Sequence, residues 1–206
     1  MNAIQQTLIP ETETRDPDIW SPDDWETPQW LAKKMAGLLL PSDRAIWEPS
    51  AGTGNIAAEI PKGKHLICSE LNHARYLVGS QRVQHGIWCN EDVLDSYCWA
   101  NYENSFSVVI GNPPFSRLIE FIEVGLNSLL LHYDLARILF LLPGNFDQAK
   151  ERGAAFEALD CHIAKRYKIR DRVRYLKNGV SVAGRQIDDC VFDIRPGKGG
   201  KEVYLV

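Results

Sequence analysis

Two short segments combine residue types and spacings that could do chemistry. The first is Glu48-Pro49-Ser50-Ala51-Gly52-Thr53-Gly54, set between apolar runs at 45–47 and 56–60. A glycine turn between a strand and a helix lets a ligand lie against bare backbone, near the positive end of the helix. The spacing Gly52-x-Gly54-x-x-Ala57 also fits a dinucleotide fingerprint. No G-K-[ST] follows, which removes a Walker-type phosphate loop. Glu48 would repel a pyrophosphate but suits a cation such as an amino acid's ammonium group; a turn that merely needs glycine is the competing reading. The second segment is Gly111-Asn112-Pro113-Pro114-Phe115, after the apolar run 106–110. Two prolines fix two φ angles and remove two donors. The carbonyls of Asn112 and Pro113 are then available to a cavity. An amide oxygen, a backbone carbonyl and an aromatic face within four residues suit an amino group on a flat ring.

A third segment is electrostatic. Lys165, Arg166, Lys168, Arg170, Arg172, Arg174 and Lys177 crowd one stretch in which Asp171 is the only acid, with Tyr167 and Tyr175 interleaved. On a chain with 23 basic and 27 acidic residues and a net charge of −4, this is the natural phosphate-contacting surface. The competing reading is a strand edge protected by charge. Arg185 in the following loop could also reach a nucleotide, as could Ser181 and Gln186.

The elements that must carry these segments are legible as an alternation. Apolar runs at 45–47, 65–68, 86–89, 106–110 and 136–142 read as strands, and 115–131 and 145–159 are long enough for helices. This predicts an α/β fold, mostly parallel, with helices on both faces. Residues 173–176 and 190–194 read as the arms of a C-terminal antiparallel hairpin, and 202–206 as one more short strand. Thr27-Pro28 reads as a helix start, threonine at the N-cap, with Leu31, Met35, Leu38 and Leu39 on one face and Pro41 as the stop. Residues 1–24 are polar and proline-punctuated and read as a partly flexible arm, with Trp20 and Trp25 as anchors; 25–206 is the domain.

At 206 residues with 45 % apolar and 24 % charged residues the chain is ordinary globular material. Five cysteines (Cys68, Cys89, Cys98, Cys161, Cys190) without a C-x-x-C pair read as thiols in a reducing compartment, so no metal is expected. No signal peptide or membrane span is apparent, which predicts a cytoplasmic protein with no membrane partner.

With these segments in place, the chain resembles the class I S-adenosylmethionine (SAM)-dependent amino-methyltransferases, above all the adenine-N6 DNA methyltransferases of gamma-type motif order. The Glu48 to Gly54 segment looks like the SAM loop, the Asn112 to Phe115 segment like the catalytic loop, and Thr27-Pro28 like the N-terminal segment that closes over the methionine part of SAM. The resemblance runs from about residue 25 to 195 and implies a Rossmann-like sheet. It implies cofactor contacts by Thr27, Pro28, Glu48, Pro49, Ser50, Ala51, Gly52, Gly54 and Asn112. Glu70 would bind the ribose hydroxyls, Asp92 the adenine amino group, and Val93 the ring. Asn112, Pro113, Pro114 and Phe115 would be catalytic, with Phe115 stacked on a flipped base. The implied reaction is methyl transfer to N6 of adenine in DNA, DNA favoured over RNA. The family's large target-recognition domain does not follow, so low specificity or a partner supplying recognition is expected. The alternatives are an RNA-base or protein-glutamine methyltransferase, or a non-catalytic SAM-fold subunit. A dehydrogenase is a remote fourth.

Overall fold

A computed structural model describes residues 25–95, 100–130, 133–177, 179–182 and 188–199. The expected arm at 1–24, Cys98, Arg185, Gln186 and the strand at 202–206 lie outside them.

The apolar runs become α1 (Gln29–Ala36), β1 (Ala45–Glu48), β2 (His65–Glu70), α2 (His73–Arg82), β3 (Ile87–Asn90), β4 (Val108–Gly111), α3 (Leu118–Ser128), β5 (Arg137–Pro143), α4 (Lys150–Glu157), β6 (Cys161–Lys168), β7 (Leu176–Lys177), β8 (Val180–Ser181) and β9 (Asp189–Pro196). Seven strands form one sheet in the order β3-β2-β1-β4-β5-β9-β6, and β7 and β8 form a separate small hairpin. β9 runs antiparallel between β5 and β6; all other pairs in the large sheet are parallel.

Strand side chains alternate between faces, and the core divides accordingly. Ile46, Leu66, Val108, Ile110, Leu139, Leu141 and Val191 pack with α1 and with Val173 and Tyr175 on one face. Trp47, Val109, Ile138, Phe140, Leu142 and Phe192 pack with α3 and α4 on the other. Both faces are covered, so the central strands are apolar throughout, as parallel strands buried on both sides must be.

Four local expectations are corrected. Thr27 does not cap α1: Pro28 takes the N-cap position without a side-chain bond, and its carbonyl accepts from Leu31 and Ala32 N–H. The backbone before it is already held elsewhere, by pairing between Glu26 and Leu176. The helix ends at Ala36, capped by Gly37, so Leu38 and Leu39 pack beyond it and Pro41 is not the stop. The glycine loop leads into a short 3-10 turn, Ala57–Glu59, not an α-helix, so no helix dipole sits behind it. Finally, the partner of the 190–194 strand is β6, not residues 173–176. Lys165, Arg166 and Lys168 obscure the strand pattern of β6, yet such charges are typical of an edge strand.

Candidate active site

The order of strands reverses between β1 and β4: β2 and β3 lie on one side, β5 on the other. In such sheets the carboxyl ends of the strands diverge at this switch point and leave a crevice. Glu48 ends β1, Glu70 ends β2, Glu91 and Asp92 follow β3, and Asn112 follows β4. Register alone therefore brings these five polar side chains to one end of the sheet.

A cavity of ≈ 680 Å³ opens there, within the roughly 300–1,000 Å³ of small-molecule clefts. Of the expected site residues, Thr27, Glu48, Pro49, Ser50, Ala51, Gly52, Glu70, Asp92, Val93, Asn112 and Pro114 line it. Pro28, Gly54, Pro113 and Phe115 do not. Gly54 has φ +78°, and a Cβ there would meet Val83 at 3.0 Å and Trp88 at 3.2 Å, so its absent side chain serves packing under α2 and β3. Gly52 has φ +56° with open space around a would-be Cβ. It is glycine for its backbone, not for room. Phe115 opens a 3-10 turn and packs, half-buried, against the second core cluster.

Glu70 ties the loop after β1 to the loop after β2. Its Oε2 accepts from Gly52 N–H at 2.7 Å and its Oε1 from Asn72 N–H at 2.8 Å. A carboxylate offers about four lone-pair sites, so two acceptor positions remain after both loops are pinned. Asp92 is exposed, its Oδ1 accepting from Leu94 N–H at 3.0 Å. Glu48 is buried, and its Oε2 has no partner. Burial pushes its carboxyl well above the usual carboxylate range. The Ala57 N–H opposes this and nearby Glu70 adds to it.

On the β4 side, Asn112 Nδ2 donates to the Trp25 carbonyl at 2.8 Å. A carbonyl can only accept, so this bond fixes which way the amide faces. Asn112 Oδ1 is left buried and without a partner, on a residue that lines the cavity. Ser50 Oγ donates to the Asn112 carbonyl at 3.5 Å, joining the two loops.

Among the lining residues that sequence reasoning did not place in the site are Trp25, Glu26 and Glu91. Trp25 and Glu26 line the cavity next to Thr27, and only that adjacency could have flagged them. Glu91 also lines it, beside the expected Asp92. Its Oε1 accepts from Ser69 Oγ and from Tyr102 OH, each at 2.6 Å, and Ser69 Oγ accepts from Trp47 Nε1. Burial first, then Glu91, pushes the Tyr102 hydroxyl up.

The basic stretch separates into two populations. Lys165, Lys168, Arg170, Arg172 and Arg174 are exposed. Arg166 turns inward, its Nη2 2.5 Å from Asp147 Oδ2 and its guanidinium over the Phe192 ring. Lys177 Nζ lies 4.9 Å from the Trp25 ring centroid. β6 is parallel to β5, so Lys168 and the segment after it lie at the cavity's end of the sheet.

No protein-family profile matches the chain, and no curated protein matches its sequence. Solved structures do match. A protein described as a class I S-adenosylmethionine-dependent methyltransferase from Listeria monocytogenes aligns with TM-score 0.65 at 14 % identity, over 89 % of this chain and 66 % of that one. A TehB-like SAM-dependent methyltransferase from Corynebacterium glutamicum gives 0.54 at 10 % identity, over 81 % and 87 %. A protein described as an RNA methyltransferase from Pyrococcus horikoshii gives 0.53 at 13 % identity, over 82 % and 81 %. The fold is that of the Rossmann-like class I methyltransferases. Among the described residues no helix is long and apolar enough to cross a membrane.

Proposed function

We propose that the chain is a SAM-dependent methyltransferase acting on an exocyclic amino group, N6 of adenine in DNA. The observation that carries this reading is the Asn112 amide. Its nitrogen is committed to Trp25, and its oxygen is buried and unpaired in a cavity-lining residue. An unpaired buried acceptor costs about 1–3 kcal/mol. A ligand N–H that supplies the missing bond recovers this.

The remaining lining fits SAM. Glu48 offers a buried, unpartnered carboxylate oxygen to the ammonium group. Glu70 keeps lone pairs for two ribose hydroxyls, which a carboxylate can accept together. Gly52 presents backbone with no side chain above it, Asp92 and Val93 flank the adenine, and Thr27 closes the methionine end. When bound, SAM supplies an electrophilic methyl carbon. The chain's own task is to prepare the amine, whose lone pair is delocalised into its ring. Asn112 Oδ1 and the Pro113 carbonyl accept its two N–H bonds, draw the nitrogen toward tetrahedral geometry and favour the positive charge that develops there. Lys165, Lys168, Arg170, Arg172 and Arg174 carry the phosphate contacts that hold a nucleic acid at this end of the sheet, and a partner protein is one source of sequence recognition.

The test is transfer of labelled methyl from SAM to duplex DNA, single-stranded DNA, RNA and protein extract, each with an Asn112→Ala control. Label in DNA, recovered as N6-methyladenine and absent in the control, is the expected result. Asn112→Ala should keep SAM affinity within about twofold while losing turnover, because the amide oxygen it removes acts on the nucleophile. Label confined to RNA or to glutamine would move the substrate. SAM binding without transfer to any acceptor would favour a non-catalytic subunit.

A further inference from the structure

The three loops of the site meet at residues 25–27, and one side chain holds the junction. Glu26 Oε1 accepts from Thr53 Oγ1 in the loop after β1, at 3.1 Å. Its Oε2 accepts from Gly179 N–H, at the tip of the β7–β8 hairpin, at 3.3 Å. Its backbone forms a two-way bridge with Leu176: Glu26 N–H donates to Leu176 O and Leu176 N–H to Glu26 O, both at 3.0 Å. Trp25 packs on Tyr175, whose hydroxyl donates to Asp189 of β9 at 2.7 Å, so the hairpin is itself anchored to the sheet.

The consequence for Asn112 follows from peptide planarity. The Trp25 carbonyl and the Glu26 N–H belong to one rigid trans peptide and point in opposite directions. Leu176 O holds the N–H side; Asn112 Nδ2 meets the carbonyl side. Whatever fixes Glu26 against the hairpin therefore fixes the direction of the carbonyl that orients the Asn112 amide. Thr53 and Gly179 brace that residue through its carboxylate.

We infer that Glu26 is a positioning residue of the candidate site, joining the β7–β8 hairpin and the loop after β1 to the peptide that sets the Asn112 amide. The inference rests on the reading of Asn112 as acceptor of the substrate amino group. It adds a route by which the hairpin, which directly follows the exposed arginines, governs turnover. Glu26→Gln keeps the size but removes the charge and one of the two acceptors: with its amide oxygen on Gly179 N–H, its NH₂ can hold Thr53 only if Oγ1 accepts where it now donates. Thr53→Val removes one brace without touching Glu26.

The experiment uses the full chain, 15N-labelled. The Asn112 side-chain NH₂ pair is identified by its loss in Asn112→Asp. In Glu26→Gln and Thr53→Val these signals should shift and exchange faster with water. Turnover should fall by about 10- to 100-fold, as sub-ångström to ångström misplacement does, with SAM affinity within about twofold. Unmoved NH₂ signals in both variants would overturn the inference, as would moved signals with unchanged turnover. Moved signals in a protein that methylates no acceptor would uphold the coupling and overturn the functional reading instead. Should Glu26→Gln fail to fold, Thr53→Val carries the same comparison.

Discussion

Glu48 sets a conflict between stability and binding. A buried carboxyl held well above its ordinary value of 4.5 favours the protonated form in the folded state. The folded chain then binds more protons than the unfolded one between the two values. Stability from this group is present below about 4.5 and lost as pH rises toward the folded value. Glu48→Gln should therefore melt higher than the parent at neutral pH, by roughly 2–4 °C per kcal/mol relieved, with the gap closing near pH 4. The same variant should bind SAM more weakly, since the ammonium loses its anion. Melting curves across pH 4–8 and SAM titrations check both; a lower melting point at neutral pH would contradict the burial argument. Glu70→Ala has the opposite character. It removes the acceptor shared by Gly52 and Asn72, so SAM affinity should fall at least tenfold and apo stability should fall with it, as calorimetric titration and melting would show.

At the scale of elements, the exposed and inward basic residues should part company. Arg170, Arg172 and Arg174 are exposed, while Val173 and Tyr175 between and beyond them are buried. Over 172–175 exposed and buried side chains thus alternate, with the arginines on the outside. Replacing the three arginines by alanine should leave the melting point within about 1 °C. The log–log salt slope of DNA binding should fall by about one per arginine that meets a phosphate. Arg166→Ala should do the reverse, destabilising by about 1–3 kcal/mol through loss of the ion pair with the buried Asp147 carboxylate, with little change in slope. Binding isotherms from 50 to 200 mM salt separate the two. The sequence could not make this distinction. The parallel strands were legible because Ile46, Val108 and Leu139 sit in unbroken apolar runs; their order and the switch point were not, because pairing between strands is set by contacts distant in sequence. β6 was not, because the lysines and arginines of an edge strand hide its period of two. Thr27 lines the cavity, but the cap that its pattern suggests is not made: Glu26 before it is held in an isolated bridge with Leu176. Glu26 was invisible because its meaning lies in partners at positions 53, 176 and 179.

Taken whole, the molecule divides its polar groups by the two ends of the sheet. The carboxyl ends hold the cavity with its unpaired Glu48 and Asn112 oxygens. The amino ends hold a closed ionic cluster. Arg137, at the start of β5, meets Asp43, just before β1, through two contacts at 2.8 and 3.3 Å, and both side chains are almost fully buried. Arg137 also donates to the carbonyls of Leu38 and Leu135, and Asp43 accepts from Leu40 N–H. The cluster ties the chain leaving α1 to a central strand, on the side away from the candidate site. Asp43→Ala strands a buried guanidinium and should cost about 3–5 kcal/mol, a large share of the roughly 5–15 kcal/mol that holds a domain together. The paired change Asp43→Leu with Arg137→Met removes both charges and should recover most of that loss. Neither variant touches the cavity, so turnover per folded molecule and SAM affinity should match the parent in both. Urea titration gives the stabilities, and initial rates below the unfolding transition give the activities. A rate that fell further than the folded fraction would mean that the two ends of the sheet are coupled, and that the ionic cluster helps to hold the spacing of β1 and β4 on which the Glu48 and Asn112 loops depend.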